Sequence, residues 1–348
     1  MSSITSLSGD KKNIRIAING FGRIGRQFFK NAFEHPNIQI VAVNDLQDIN
    51  ALAYLLKYDT VYGRYNKKVE VKDNHFEVEG KKVLFYSNPN PQELPWGDLD
   101  IDFVVESTGF FTTYEKAKAH LQAGAKRVVI SAPAKDEETP TATPNNKVDK
   151  ITASKITSNG SCTTNAATPV TSILEQTLGI ECALLNTIHG YTSTQSLVDK
   201  PNPKDYRRGR AAAQNLIPTT SGAAISVTKV FPNLAGNMDA MAIRAPVVSG
   251  SILDYTFISK KETSVEELNN LFIEYSQKPE WQDILAVTSD PIVSTDILQN
   301  PHGAIVDLKM TRVINKKLCK LLVWYDNEWG YVNMLLKHII QLSSFMNK

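Results

Sequence analysis

Cysteine is scarce in this 348-residue chain, with only Cys162, Cys182 and Cys319. Three scattered thiols exclude a disulfide framework and fit a reducing compartment. The chain has no CxxC, no HExxH and no closely spaced His/Cys group, so no metal site is expected. Neither sign of charge is in excess: 38 Lys and Arg stand against 36 Asp and Glu, a net +2. That balance gives no bulk attraction toward nucleic acid or a membrane surface. No apolar run reaches the length a bilayer span needs. Residues 1–12 are rich in Ser and Lys without an apolar centre, and read as a loose lead-in, not a secretion signal. There is no internal repeat and no low-complexity tract. What remains, 42% hydrophobic and 21% charged, is ordinary for a soluble globular protein of about two domains.

Residues 13–19 alternate and are rich in isoleucine, as a strand would be. Gly20-Phe21-Gly22-Arg23-Ile24-Gly25 follows at once. Ile24, Phe28, Phe29, Ala32 and Phe33 then recur at helical spacing. A second strand, 38–43, runs into Asn44-Asp45, with Asp45 twenty residues beyond Gly25. Strand, GxGxxG, helix, strand and acid in register form the dinucleotide-binding fingerprint. The glycines allow a tight turn and a close approach to a pyrophosphate at the helix start. Asp45 is placed to accept hydrogen bonds from ribose hydroxyls and to repel a 2′-phosphate, so NAD is expected over NADP. Further strands at 69–71, 75–79, 82–86, 101–105 and 127–130 and a helix at 114–122 continue the doubly wound pattern. Their tips carry small polar residues, including Thr108 and Ser131, where such a sheet lines its crevice.

Cys162 lies in Ser161-Cys162-Thr163-Thr164-Asn165, between a short strand and a helical stretch. A thiol in the first turn of a helix feels the positive end of the dipole and the unpaired N–H groups, which favour thiolate. A lone cysteine is more often a small buried hydrophobe, but hydroxyl and amide neighbours shift this one toward chemistry. A strand at 181–188 delivers His189, while the other histidines read as structural. The loop 191–214 is long and polar, with an Arg207-Arg208-Gly209-Arg210 cluster, so it is expected to be functional or interfacial. Thr219-Thr220-Ser221-Gly222 opens a further helix. Strands at 240–244, 252–259, 304–310 and 318–325 read as a mostly antiparallel second sheet. A helix at 263–277 is capped by Ser264, and an amphipathic segment, 331–344, closes the chain and is expected to dock on the first domain.

In order along the chain stand Gly20-Phe21-Gly22-Arg23-Ile24-Gly25-Arg26, Ser161-Cys162-Thr163-Thr164-Asn165, His189, Thr192-Ser193-Thr194-Gln195, Ile217-Pro218 through Gly222-Ala223-Ala224, and Trp324-Tyr325-Asp326-Asn327-Glu328. From residue 13 to the C-terminal helix the sequence closely resembles the phosphorylating glyceraldehyde-3-phosphate dehydrogenases. The resemblance implies an α/β chain: a Rossmann doubly wound NAD-binding domain, 1–161 completed by 327–348, plus an α+β catalytic domain, 162–326, with a mostly antiparallel sheet. It implies Cys162 as nucleophile and His189 as base. Gly20, Gly22, Arg23, Ile24, Gly25, Asp45, Thr108, Ser131 and Asn327 would bind NAD, with Asn327 on the nicotinamide carboxamide. Thr192 and Arg244, with Arg207 nearby, would hold the substrate phosphate. Ser161, Thr163, Ser221 and Gly222 would hold the inorganic phosphate. Leu46 with Pro201 resembles the NAD-using pattern. A cytoplasmic homotetramer is implied, with loop 191–214 at an interface.

The chain departs from the family pattern in places. Ala166 stands where many members carry a second cysteine, which closes an internal disulfide route. Gly160 replaces a usual alanine and Ser221 a usual threonine. The segments 141–146 and 88–89 diverge and bear on cofactor affinity. Erythrose-4-phosphate dehydrogenase is the nearest rival, but it typically lacks the counterparts of Thr192 and Gly222, both present here. A catalytically idle NAD- or RNA-binding protein has no use for Cys162 with His189. A cysteine hydrolase has no use for the glycine fingerprint.

Overall fold

The computed structural model describes residues 13–146 and 148–346. The first sheet is built from β1 (Ile14–Asn19), β2 (Ile38–Asn44), β3 (Val69–Lys72), β4 (His75–Val78), β5 (Lys81–Tyr86), β6 (Phe103–Glu106), β7 (Arg127–Ile130) and β8 (Ile156–Ser158). Their order is β8-β7-β6-β1-β2-β5-β4-β3. The run from β8 to β5 is parallel, and the last three strands pair as antiparallel hairpins. Turns at Asp73-Asn74 and Glu79-Gly80 join these hairpin strands, with Asp73 at φ 49° and Gly80 at φ 75°. Helices α1 (Arg23–Phe33), α2 (Ile49–Lys57), α3 (Tyr114–Gln122) and α4 (Val148–Ala153) connect these strands. The strand order reverses between β1 and β6, and ligands of such sheets bind in the crevice there.

Helix α5 (Cys162–Thr177) leads into the second sheet. That sheet contains β9 (Ile180–Gly190), β10 (Ile217–Thr220), β11 (Met238–Ala245), β12 (Ser251–Ser259), β13 (Leu285–Thr288), β14 (Ala304–Asp307), β15 (Arg312–Ile314) and β16 (Leu318–Tyr325). The order is β10-β11-β9-β12-β16-β14-β13, with β15 also on β16. Only β9/β11 and β13/β14 are parallel, so the sheet is mostly antiparallel as expected. Helices α6 (Ala223–Val230) and α7 (Val265–Ser276) pack on it, and Ser264 caps α7 reciprocally with Glu267.

Three elements differ from the sequence expectation. Residues 217–220 form a strand, where Thr219-Thr220 reads in sequence as the opening of a helix; Pro218 is tolerated because β10 is the edge of its sheet. The expected strand 304–310 ends at Asp307 and tightens into a 3-10 turn, Leu308–Met310. Helix α2, capped by the Asp48 side chain on the Ala51 N–H, had no clear periodic signal.

The chain closes with α8 (Trp329–Met346). Its Tyr331, Val332, Leu335, Leu336, Ile339 and Leu342 join the same apolar core as Ile16, Phe28 and Val105 of the first sheet. The second core gathers Val170, Leu185, Tyr255, Leu321 and Val323. Cys162 touches both clusters, so the thiol stands at the seam between the two layers.

Candidate active site

The nucleotide crevice is shaped mostly by backbone. Gly20 has φ 94°, and a side chain there would meet the Thr108 amide nitrogen at 2.7 Å. Gly25 packs against the Gly20 carbonyl so closely that a Cβ would lie 2.1 Å from it. Gly22, between them, has nothing within 4 Å of where its Cβ would be. The first and third glycines are therefore fixed by close packing, and the second opens on the crevice. Gly22 also precedes α1 without a side-chain cap, which leaves first-turn N–H groups to receive a pyrophosphate. Asp45 Oδ2 accepts the Phe21 N–H at 2.6 Å, and this turns the carboxylate across the strand tips toward the glycine loop. These residues fit a bound dinucleotide. Arg23 lines the crevice as expected, and its guanidinium is held by Asp59 and Glu328.

Next to this loop is a cavity of about 500 Å³, lined by Arg23, Ile24, Ser131, Ser161, Cys162, His189, Thr192, Arg244 and Asn327, among others. Nine predicted site residues from both halves of the chain thus meet in one place. Ser161 caps α5 through a reciprocal pair: its hydroxyl accepts the Thr164 N–H, and the Thr164 hydroxyl accepts the Ser161 N–H. That cap fixes Cys162 as the first helical residue. His189 sits near the end of β9, and its Nε2 lies 3.3 Å from Cys162 Sγ. The parallel register of β9 with β11 sets Arg244 directly beside His189. Arg244 Nη1 approaches His189 Nδ1 at 2.6 Å and the Gly190 carbonyl at 3.1 Å. The same Nδ1 lies 2.7 Å from the Gly190 carbonyl. One ring nitrogen therefore has two competing partners, a donor and an acceptor. Arg244 Nε is buried without a partner.

Two influences oppose each other at Cys162. Burial pushes the thiol up, with the nearby Arg244 charge and the Thr163 N–H pulling the other way, as the helix start also does. Burial, with Arg244 adding repulsion, holds His189 down at about 3. Desolvation disfavours both charged forms.

Asn327 is buried, and its Oδ1 accepts from the Gly250 N–H at 3.0 Å and the Ser251 hydroxyl at 2.9 Å. With the oxygen pinned, the NH₂ group is the end left to face the cavity, as recognition of a carboxamide oxygen requires. The adjacent carboxylate of Asp326 accepts from the Tyr62 hydroxyl and from the Glu328 and Trp329 N–H groups. This ties the turn that carries Asn327 to the first domain.

The residues expected at the two phosphates are only partly assembled. Ser161, Thr192 and Arg244 line the 500 Å³ cavity. Arg207 and Ser221 instead line a second cavity of about 1130 Å³ with Thr194, Arg208 and Thr219. The Thr192 hydroxyl lies 2.9 Å from that of Thr194, so this turn is the wall between the two spaces. Gly222 is exposed ahead of α6. Thr163 is buried with its hydroxyl 2.9 Å from that of Tyr325, which turns it away from the cavity. Sequence reasoning missed Glu328, which fixes Arg23, and the catalytic-side role of Tyr331, whose hydroxyl bonds the Gly160 carbonyl at 3.0 Å. Only the run Asp326-Asn327-Glu328 at a strand end signalled the first, and nothing signalled the second. Ala166 is fully buried in the second core. Among the described residues no group of His, Cys, Asp and Glu could hold a metal ion.

Residues 14–114 match the family described as glyceraldehyde 3-phosphate dehydrogenase, NAD binding domain, and residues 161–327 match its C-terminal domain. The chain is 45% identical to glyceraldehyde-3-phosphate dehydrogenase B of Aspergillus oryzae over 323 residues, covering 92% of this chain and 96% of that protein. It is 42% identical to glyceraldehyde-3-phosphate dehydrogenase 2 of Bacillus subtilis over 331 residues, 94% of this chain and 96% of the relative. It is 46% identical to glyceraldehyde-3-phosphate dehydrogenase of Borreliella burgdorferi over 324 residues, 91% of this chain and 96% of the relative.

Proposed function

This chain belongs to the glyceraldehyde-3-phosphate dehydrogenase family, and from that premise we propose how its own residues divide the work of the reaction. The protein is an NAD-dependent oxidoreductase of glycolysis that converts glyceraldehyde 3-phosphate and phosphate to 1,3-bisphosphoglycerate. The observation that carries the assignment of roles is the 3.3 Å approach of His189 Nε2 to Cys162 Sγ at the start of α5, in one cavity with Arg244 and Asn327.

Cys162 attacks the aldehyde carbon, and His189 Nε2 takes the thiol proton as the C–S bond forms. That proton passes to the new oxyanion, giving a thiohemiacetal, and returns to His189 as the hydride leaves. The first-turn N–H of Cys162 faces the oxyanion. NAD, when bound, accepts the hydride, and Asn327 fixes which face of its ring is presented. A phosphate oxygen then displaces Cys162 from the thioester as thiolate, which recovers its proton. Splitting the reaction at the sulfur replaces one hard step by two easier ones.

Arg244 and Thr192 hold the phosphate of the aldehyde. A phosphate there gives Arg244 an anion and draws it off His189 Nδ1, which then donates to the Gly190 carbonyl and leaves Nε2 free as base. Ser161 holds the attacking phosphate. Arg207, Ser221 and Gly222 belong to the two phosphate sites from the far side of the Thr192–Thr194 turn, and Thr163 belongs to the inorganic-phosphate site by the family pattern, with its hydroxyl here on Tyr325. Gly20, Gly22, Arg23, Ile24, Gly25, Asp45, Thr108 and Ser131 carry the rest of NAD. Loop 191–214 exposes Leu197, Val198 and Tyr206, at 82%, 70% and 82%, and apolar groups so placed are suited to burial between the subunits of a homotetramer. A cytoplasmic location goes with this reading, and no described helix is long and apolar enough to cross a membrane.

The test is NADH formation with glyceraldehyde 3-phosphate or erythrose 4-phosphate, with and without phosphate. The triose phosphate should have the higher kcat/KM, turnover should need phosphate, and Cys162→Ser should lower it by about a thousandfold or more. Turnover that survives the loss of Cys162, or a preference for the tetrose, would overturn the assignment.

A further inference from the structure

A second buried polar cluster lies under the cofactor crevice, where the strand order reverses. The Glu106 side chain, at the carboxyl end of β6, and the His120 side chain, on α3, are both fully buried. Glu106 Oε2 lies 2.6 Å from Asn19 Nδ2 and 3.1 Å from His120 Nε2. Glu106 Oε1 accepts the Thr108 N–H at 2.8 Å and the Thr108 hydroxyl.

Hydrogen-bond roles here can be assigned from both ends. The indole N–H of Trp96 can only donate, and it donates to His120 Nδ1 at 3.1 Å. Nδ1 is therefore an acceptor, and the proton of a neutral ring sits on Nε2, facing Glu106. At the other end the Asn88 backbone N–H donates to Asn44 Oδ1 at 2.9 Å. That fixes Asn44 Nδ2 as the donor to Asn19 Oδ1, at 2.7 Å, and so Asn19 Nδ2 as the donor to Glu106. The Thr108 N–H, the Asn19 amide and the His120 Nε2–H all donate to the Glu106 carboxyl group, and the Thr108 hydroxyl can do the same. That donor set fits a carboxylate, buried beside a neutral histidine, and among the described residues no Lys or Arg forms an ion pair with it.

That charge lies directly beneath the crevice. Thr108, which it holds, packs on Gly20, where a Cβ would meet the Thr108 amide nitrogen at 2.7 Å. The Ser131 hydroxyl, in the catalytic cavity, donates to the Glu106 carbonyl at 3.0 Å. A buried negative charge acts over several ångströms because little water screens it. The oxidised nicotinamide ring is cationic and the reduced ring is neutral. We propose that Glu106 is a positioning and charge-setting residue that makes this crevice favour oxidised over reduced cofactor, and so promotes release of the reduced product. The inference rests on NAD being the cofactor and adds a role that the thiol chemistry does not require.

The experiment measures dissociation constants of NAD and NADH separately, by calorimetry, for wild type, Glu106→Gln and Glu106→Asp. In Glu106→Gln the ratio Kd(NADH)/Kd(NAD) should fall by about threefold or more, while Glu106→Asp, which keeps the charge, should stay near wild type. If both affinities weaken by the same factor, Glu106 only supports the fold and the proposal fails. If Glu106→Gln does not fold, the double variant Glu106→Leu/His120→Phe removes the charge together with its imidazole donor; an unchanged ratio there also overturns it. Failure of the wild type to bind NAD at all would overturn the cofactor reading instead, so the two failures are distinguishable.

Discussion

His120 and His189 are buried to nearly the same degree, 0% and 4% exposed, yet the structure fits them for opposite tasks. The roles at both nitrogens of His120 are fixed: Nδ1 takes an indole donor, and Nε2 lies 3.1 Å from a carboxylate oxygen, with the Asn19 amide nitrogen, itself a donor, farther off at 3.4 Å. Its tautomer is locked, so it can hold Glu106 but cannot move a proton. His189 has a thiol on one nitrogen and two incompatible partners, Arg244 and the Gly190 carbonyl, on the other. Burial keeps it neutral, and competition keeps its tautomer open. Burial alone therefore does not separate a structural histidine from a catalytic one; what separates them is whether the second nitrogen has one answer or two.

The comparison breaks most visibly at His189. Replacing it by Asn removes the base and should lower kcat/KM for the aldehyde by about 10²–10⁴, measured by steady-state NADH formation. A loss much under tenfold would mean that the proton moves by another route. On the other side, Trp96→Phe removes the donor that locks His120. It leaves a buried acceptor unsatisfied and should cost about 1–3 kcal/mol of stability while keeping kcat within about twofold, read from urea midpoints and turnover. A kcat that collapses with unchanged stability would show His120 taking part in the chemistry. The smallest effect concerns a third buried ring, His338 of α8, between the Thr157 hydroxyl and Asn159 Oδ1. Burial lowers its value from 6.5 to about 4. The unfolded chain therefore takes up a proton below about pH 6.5 that the folded chain refuses until about 4, so this ring's contribution to stability falls as pH drops through that window. His338→Gln should flatten the urea midpoint across the same range; an unchanged slope would assign the acid lability to other groups.

Much of this was legible in the sequence because it is local. The glycine loop, Asp45, the capped start of α5 and His189 at a strand end are each set by a few adjacent residues. Even so, only one of the two influences on Cys162 was legible. The helix-terminus effect is visible in sequence, whereas the burial that opposes it depends on α8 and β9 closing around the sulfur. The Arg23–Glu328 pair spans 305 positions, so the run Asp326-Asn327-Glu328 could mark Glu328 but not its partner. Glu106 was passed over as the end of an apolar strand, although a charge placed immediately after Val104-Val105 was itself a sign of a buried partner. The strand at 217–220 was missed because Thr219-Thr220 ahead of Ser221-Gly222 reads as a helix start, and a proline fits a strand only at an edge.

Helix α8 has a consequence for how the protein is made. Its apolar face completes the core of the first sheet, yet it is the last described segment of the chain. On a ribosome, where chains emerge at about 5–20 residues per second and early domains usually fold first, the nucleotide-binding sheet must wait with that face uncovered until the second domain has been synthesised. Newly made chains should therefore gain protease resistance late and in one step, and any truncation that removes α8 should leave a nascent form that depends on chaperones.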